Sequence, residues 1–134
     1  MYRRDLLTAE IQKLAQVLAK ILRLKNENRE DEAQETFDQS LQAFFDLPTD
    51  ALSLPETEFA ALLADRRFDA GKLDYLGQMM HLQFDPSATS AVNINLAKNL
   101  LGLYALLENN HHIQSFQNLA IQQQLKKYLS NADH

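Results

Sequence analysis

The chain has 134 residues, 46% of them apolar and 23% charged, a balance that fits one globular domain spanning 1–134 and excludes a wholly disordered polypeptide. It has no cysteine, which excludes a disulfide framework and any thiolate nucleophile or metal ligand. The formal net charge of −5 is unevenly spread: residues 1–26 carry six Lys or Arg against Asp5 and Glu10, whereas residues 27–58 carry ten acids against Arg29. The imbalance could make a basic patch for an acidic partner, yet if those two segments form adjacent helices their charges largely face each other, and nucleic-acid binding is disfavoured.

Three Gly and three Pro in the whole length, with abundant Leu, Ala, Gln, Glu and Lys, predict long helices. The first runs over 3–26. Placed at 100° intervals, Leu6, Leu7, Ile11, Leu14, Ala15, Val17, Leu18, Ile21, Leu22 and Leu24 fill about half the circumference, wider than the roughly 100° stripe of a helix lying on one neighbour. Such a helix contacts two helices, or one helix and a second subunit. Gln12, Lys13, Gln16, Lys20 and Arg23 occupy the other side.

Lys25 to Arg29 breaks the pattern, and Glu30-Asp31-Glu32 supplies the acids that a helix N-terminus favours. The second helix is predicted over 30–46, with Ala33, Phe37, Leu41 and Phe44 inward and Phe45 adjacent. A short connection makes the pair an antiparallel hairpin. Leu47-Pro48 to Leu54-Pro55 is a connector, because each proline disfavours helix at the residue before it. A short helix over 55–65 (Phe59, Leu62, Leu63) starts near Ser53 with Pro55 in its first turn.

The fourth helix, 70–83, buries Leu73, Leu76, Met79, Met80 and Phe84 before Asp85-Pro86 ends it. Ser87 or Thr89 caps a fifth helix that reaches Glu108. Its inward face is Val92, Leu96, Leu100, Leu103, Tyr104 and Leu107. Ile94, Leu101 and Leu106 extend the apolar character round the helix, which makes it the candidate central helix. Asn109 to His112 forms a turn. The sixth helix, 113–130, offers Ile113, Phe116, Leu119, Ala120, Leu125, Tyr128 and Leu129. The fold class is therefore all-α, with about six helices in antiparallel hairpins.

Leu24, Ala33, Phe37 and Ser40 have the spacing of the large, small, aromatic and small positions of a tetratricopeptide repeat, and the first hairpin resembles that family. Ile21 stands where the repeat has Gly or Ala, and Phe45 where it ends in Pro. In the second pair, Ala97 to Tyr104 is similar to the family's first-helix wording, although Tyr104 is one residue too close to Gly102 and Gln114 replaces the Ala of the next helix. The opening Tyr2 to Leu7 and Gln12 to Leu22, with the acidic hairpin after them, also resembles a bacterial family of helical proteins known only as a domain of unknown function. These resemblances imply a bacterial origin and a helical bundle like the tetratricopeptide fold, and they supply no activity.

No residue pattern in the chain reads as a catalytic, cofactor-binding or metal-binding site. His111 and His112 are adjacent, not at the i, i+4 spacing of a zinc pair, and His81 and His134 stand alone. Glu30, Asp31, Glu32, Glu35 and Asp38 lack the Gly-turned loop of a calcium site and read as a solvated face. Asp69 and Asp74 show no sign of convergence, and Met79-Met80-His81 is core spacing. Asn93 projects onto the apolar face beside Leu100, where a buried amide needs partners. It bonds a neighbouring backbone, or with Asn95, Lys98 and Asn99 it lines a peptide groove. Together with Ala15 and Leu22 on the flank of the first helix, these form the candidate partner surface.

The expected function is a non-enzymatic protein–protein interaction module of tetratricopeptide type whose partner is another protein or a second copy in a homodimer. The alternatives are a homo-oligomeric structural protein and a small-ligand carrier or enzyme with an interhelical pocket. No cofactor, nucleic acid or membrane partner is expected, and without an unbroken apolar core near the start the chain reads as cytoplasmic.

Overall fold

The computed structural model describes residues 2–112 and 115–132, with side chains from Thr8 onward. All regular structure among them is helical, and no helix is long and apolar enough to cross a membrane. The six helices are α1 (Tyr2–Asn26), α2 (Glu30–Phe45), α3 (Glu56–Arg66), α4 (Ala70–Gln83), α5 (Ala91–His111) and α6 (Phe116–Ala132), with a 3-10 turn at Thr49–Ser53. Ile113, Gln114 and His134 lie outside the described residues, as do the side chains of Leu6 and Leu7. The backbone groups into two compact units, residues 1–51 and 52–134.

The first unit is the α1–α2 hairpin and the segment after it. Neither helix contains Gly or Pro. The chain reverses at Asn28, which takes the left-handed conformation at φ 60°, one that Asn tolerates better than most residues. Arg29 N–H returns to the Leu24 carbonyl at 2.8 Å and Glu27 N–H to Arg23 at 3.0 Å, satisfying carbonyls that a helix end leaves open. Leu14, Ile21 and Leu24 of α1 are buried, as are Ala33, Phe37, Leu41 and Phe45 of α2 and Leu47 and Ala51 beyond it.

Two details differ from the periodic reading of this unit. The fully buried part of α1 is narrower than half its circumference: Ile11, Ala15, Val17 and Leu18 are half-buried and Leu22 is 42% exposed. At the end of α2, Phe45 and not Phe44 is fully buried. A helical wheel takes no account of the chain's exit. Here Asp46 turns left-handed at φ 51°, and the Leu47 N–H comes back to Leu41 at 3.0 Å, so inwardness at the last turn is set by that reversal.

The second unit is built round α5, which packs against α3, α4 and α6. Pro55 occupies the cap position of α3, and its carbonyl accepts the Phe59 N–H at 2.9 Å. Asp69 caps α4 by accepting the Lys72 N–H at 3.0 Å. The cap of α5 is Ser90, not Ser87 or Thr89, and it accepts the Asn93 N–H at 3.2 Å. Ser87 is already engaged, since its N–H and hydroxyl both donate to Asp85 Oδ1 at 2.9 and 2.7 Å. The helix then runs past Glu108 to His111, where His112 turns left-handed. Ser115 accepts Asn118 N–H on its hydroxyl at 3.1 Å and Leu119 N–H on its carbonyl at 2.9 Å, the bonding of an N-cap residue. That sets the start of α6 later than 113.

Leu73, Leu76, Met79 and Met80 of α4 and Leu96, Leu100, Leu103, Tyr104 and Leu107 of α5 are buried, and the two helices pack against each other. Asn118 on α6 bonds Asp74, and Gln124 bonds His81, so α6 rises alongside α4. Gln122 bonds Glu108, and Tyr128 bonds Asn93, so α6 runs antiparallel to α5.

Three residues expected to face inward in this unit, Val92, Phe116 and Ala120, are instead exposed. Val92 is 72% accessible because its neighbour Asn93 takes the inward position, and Phe116 is 94% accessible at the first turn of α6. The buried stripe of α6 is Asn118, Ile121, Gln122, Leu125 and Tyr128. It includes two carboxamides because carboxylates on α4 and α5 receive them: Asn118 Nδ2 donates to Asp74 at 3.1 Å and Gln122 Nε2 to Glu108 at 2.8 Å.

Candidate binding cleft between the α4–α5 connector and α6

The NH2 groups of three asparagines of α5, Asn93, Asn95 and Asn99, donate to the chain's own backbone. Asn93 Nδ2 donates to the carbonyls of Asp85 and Ala88 at 2.7 and 3.2 Å and to Tyr128 Oη at 2.8 Å. Its Oδ1 accepts the Asp85 N–H at 3.0 Å. Asn95 and Asn99 hold another strap: both Nδ2 atoms donate to the Leu54 carbonyl at 2.9 Å, and Asn99 also to Leu52 at 3.0 Å. Lys98 is half-buried on the same helix. Ala15 and Leu22 belong to the first unit, the one half-buried and the other exposed.

Around the connector these bonds produce a rigid wall. The Tyr128 hydroxyl accepts from Asn93 and donates to the Ala88 carbonyl at 2.6 Å, and its ring meets Phe84 edge-on at 4.8 Å between centroids. Three contacts from three directions leave that ring little freedom. A cleft of about 290 Å³ opens beside it, with Pro86 and Thr89 of the connector on one side. On the other side are Gln124, Lys127, Tyr128 and Asn131 of α6, with Ala132 beyond. Those four share one helical face by their i, i+3, i+4, i+7 spacing. His81 orients Gln124: its Nε2 lies 3.0 Å from Gln124 Oε1 and its ring stacks on Phe84.

A second groove of about 290 Å³ in the first unit is lined by Lys20, Arg23, Arg29, Glu32 and Glu35 among others, so both signs of charge meet there. Arg29 pairs with Glu32 and, at 3.3 Å, with Glu27. The hydrogen bond from Arg29 holds the Glu32 carboxyl below its ordinary range. Gln34 donates to Asp38 and Gln39 to Glu35 along the helix. No three metal-ligating side chains converge among the described residues. Tyr104 is 1% exposed, its hydroxyl has no partner among the described residues, and burial, aided by the charge of Asp74, pushes that phenol well above its usual range.

Periodicity does not reveal this cleft, because along the chain Pro86 and Thr89 read as punctuation and Tyr128 as core. The one available signal is the run of polar residues at Gln124, Lys127 and Asn131 on a helix whose other face is apolar. No protein-family model, curated protein or solved structure matches the chain.

Proposed function

We propose that the protein is a non-enzymatic interaction module, and that it holds a segment of another protein in the cleft between the α4–α5 connector and α6. The observation that carries this reading is the preformed wall: Tyr128 is fixed by Asn93, Ala88 and Phe84 beside an open, apolar-floored cleft. A site that is rigid before binding loses little conformational entropy on binding. Exposure favours a docked segment over an enclosed small molecule: Pro86, Thr89, Gln124, Lys127 and Asn131 of the lining are exposed to solvent, whereas ligand pockets bury most of what they hold. The tetratricopeptide-like character of the hairpins, a bacterial origin and a cytoplasmic setting belong to the same proposal.

The test is paired affinity capture from the native cell, comparing the unmodified chain with Thr89→Trp, which fills the cleft from an exposed position. One protein enriched by the first and lost with the second supports the reading. A partner retained equally by both removes the cleft from the function.

A further inference from the structure

The polar groups round the cleft select what enters it. Among the described residues, Lys127 is the one charged side chain in its lining. The nearest acid along the connector, Asp85, remains a carboxylate held through Oδ1 by the Ser87 N–H and hydroxyl, and among the described residues it forms no ion pair with Lys127. Gln124 Oε1 lies 3.0 Å from His81 Nε2, so with the Nε2–H tautomer of His81 the NH2 group is the end that Gln124 presents. Among the described residues the lining thus holds one cation, Lys127, beside apolar surface from Pro86, the Tyr128 ring and Ala132.

We propose that the occupant is a short partner segment carrying a bulky apolar side chain and, within a residue or two of it, an aspartate or glutamate. This rests on the reading of the cleft as a docking site. The apolar side chain covers Pro86, Tyr128 and Ala132, and the carboxylate meets the Lys127 ammonium and the Gln124 NH2. The cleft volume of about 290 Å³ accommodates side chains of a segment and no larger element. A basic segment would set like charge against Lys127, and a purely polar one would leave the floor uncovered. Because the lysine is exposed, its pairing is screened by salt, so discrimination against basic segments weakens as ionic strength rises.

The experiment presents the immobilised full chain with a library of short peptides acetylated and amidated at their ends, so that every charge is a side-chain charge. Peptides combining an apolar residue with a nearby Asp or Glu should be enriched. The best of them, labelled and titrated, should bind Lys127→Glu about three- to tenfold more weakly, and its Lys-for-acid analogue should prefer that variant. Thr89→Trp should abolish both. Thr89 and Lys127 are exposed, and unchanged melting would show that both variants fold. Enrichment of basic or uncharged peptides, no enrichment, or unchanged binding to Lys127→Glu overturns the proposal. If it is overturned while Thr89→Trp still blocks partner capture, the cleft binds another chemistry; if Thr89→Trp also leaves capture intact, the docking reading falls with it.

Discussion

The carboxamide of Asn93 satisfies the backbone N–H and carbonyl of Asp85, the carbonyl of Ala88 and the hydroxyl of Tyr128. Replacing it by Ala leaves several partly buried polar groups without partners, each worth about 1–3 kcal/mol when unsatisfied. Asn93→Ala is therefore expected to lose about 2–4 kcal/mol in denaturant unfolding. Tyr104 is the opposite case, since its hydroxyl is buried without a partner and rests where a Cβ on Gly77 would lie 3.4 Å from it. Tyr104→Phe should be within about 0.5 kcal/mol of the parent or more stable; a loss of about 2 kcal/mol would mean that the hydroxyl is satisfied after all.

Two exposed acids among the described residues contribute to the response to pH. Hydrogen bonds from Arg29 to Glu32, and from the hydroxyl and N–H of Ser87 to Asp85, lower both folded-state pKa values. A lowered folded pKa contributes stability above the unfolded value, and that contribution is lost as pH falls through the folded one. Stability from these groups should hold from neutral pH down to about pH 5 and decline below about pH 4. In acid-titration melts, Glu32→Gln and Asp85→Asn should each flatten the decline, and an unaltered acid limb in both would contradict the assignment.

At the scale of the elements, helix existence is legible because breakers are scarce and periodicity is long. The predicted span of α4 matches the observed one, and α2 differs by a residue. The misses fall where tertiary bonds override the wheel. Val92 is displaced outward because Asn93 is drawn in, Phe116 stands free while Asn118 and Gln122 are taken inside by carboxylates, and Phe44 gives way to Phe45 at a chain reversal. A hydropathy pattern scores an amide as outside and has no means of finding its distant acceptor. Along α1 the same contrast gives a measurable gradient. Leu14 is fully buried and Leu22 is 42% exposed, so Leu14→Ala should cost roughly 2–5 kcal/mol and Leu22→Ala less than about 1 kcal/mol. Thermal melts over a wide range of protein concentration separate this from self-association: a melting temperature that rises with concentration, and does so less in Leu22→Ala, would make the exposed flank a subunit interface.

For the molecule as a whole, sequence supplies the helical class but not the candidate site. The cleft joins residues near 86–89 to residues 124–132, and its wall exists because Asn93, on a third element, bonds both groups. No local pattern encodes that convergence. The asparagines of α5 are informative for a different reason, since Asn93, Asn95 and Asn99 fasten the two straps at 85–88 and 52–54. The central claim is that a partner protein occupies this cleft. The most direct measurement places a photo-crosslinking side chain at Thr89 or at Asn131 and irradiates the protein in its native cell. Both positions should give an adduct with the same partner, while the exposed Gln42 on α2 gives none; no adduct at either cleft position, or equal yield at Gln42, would contradict the account.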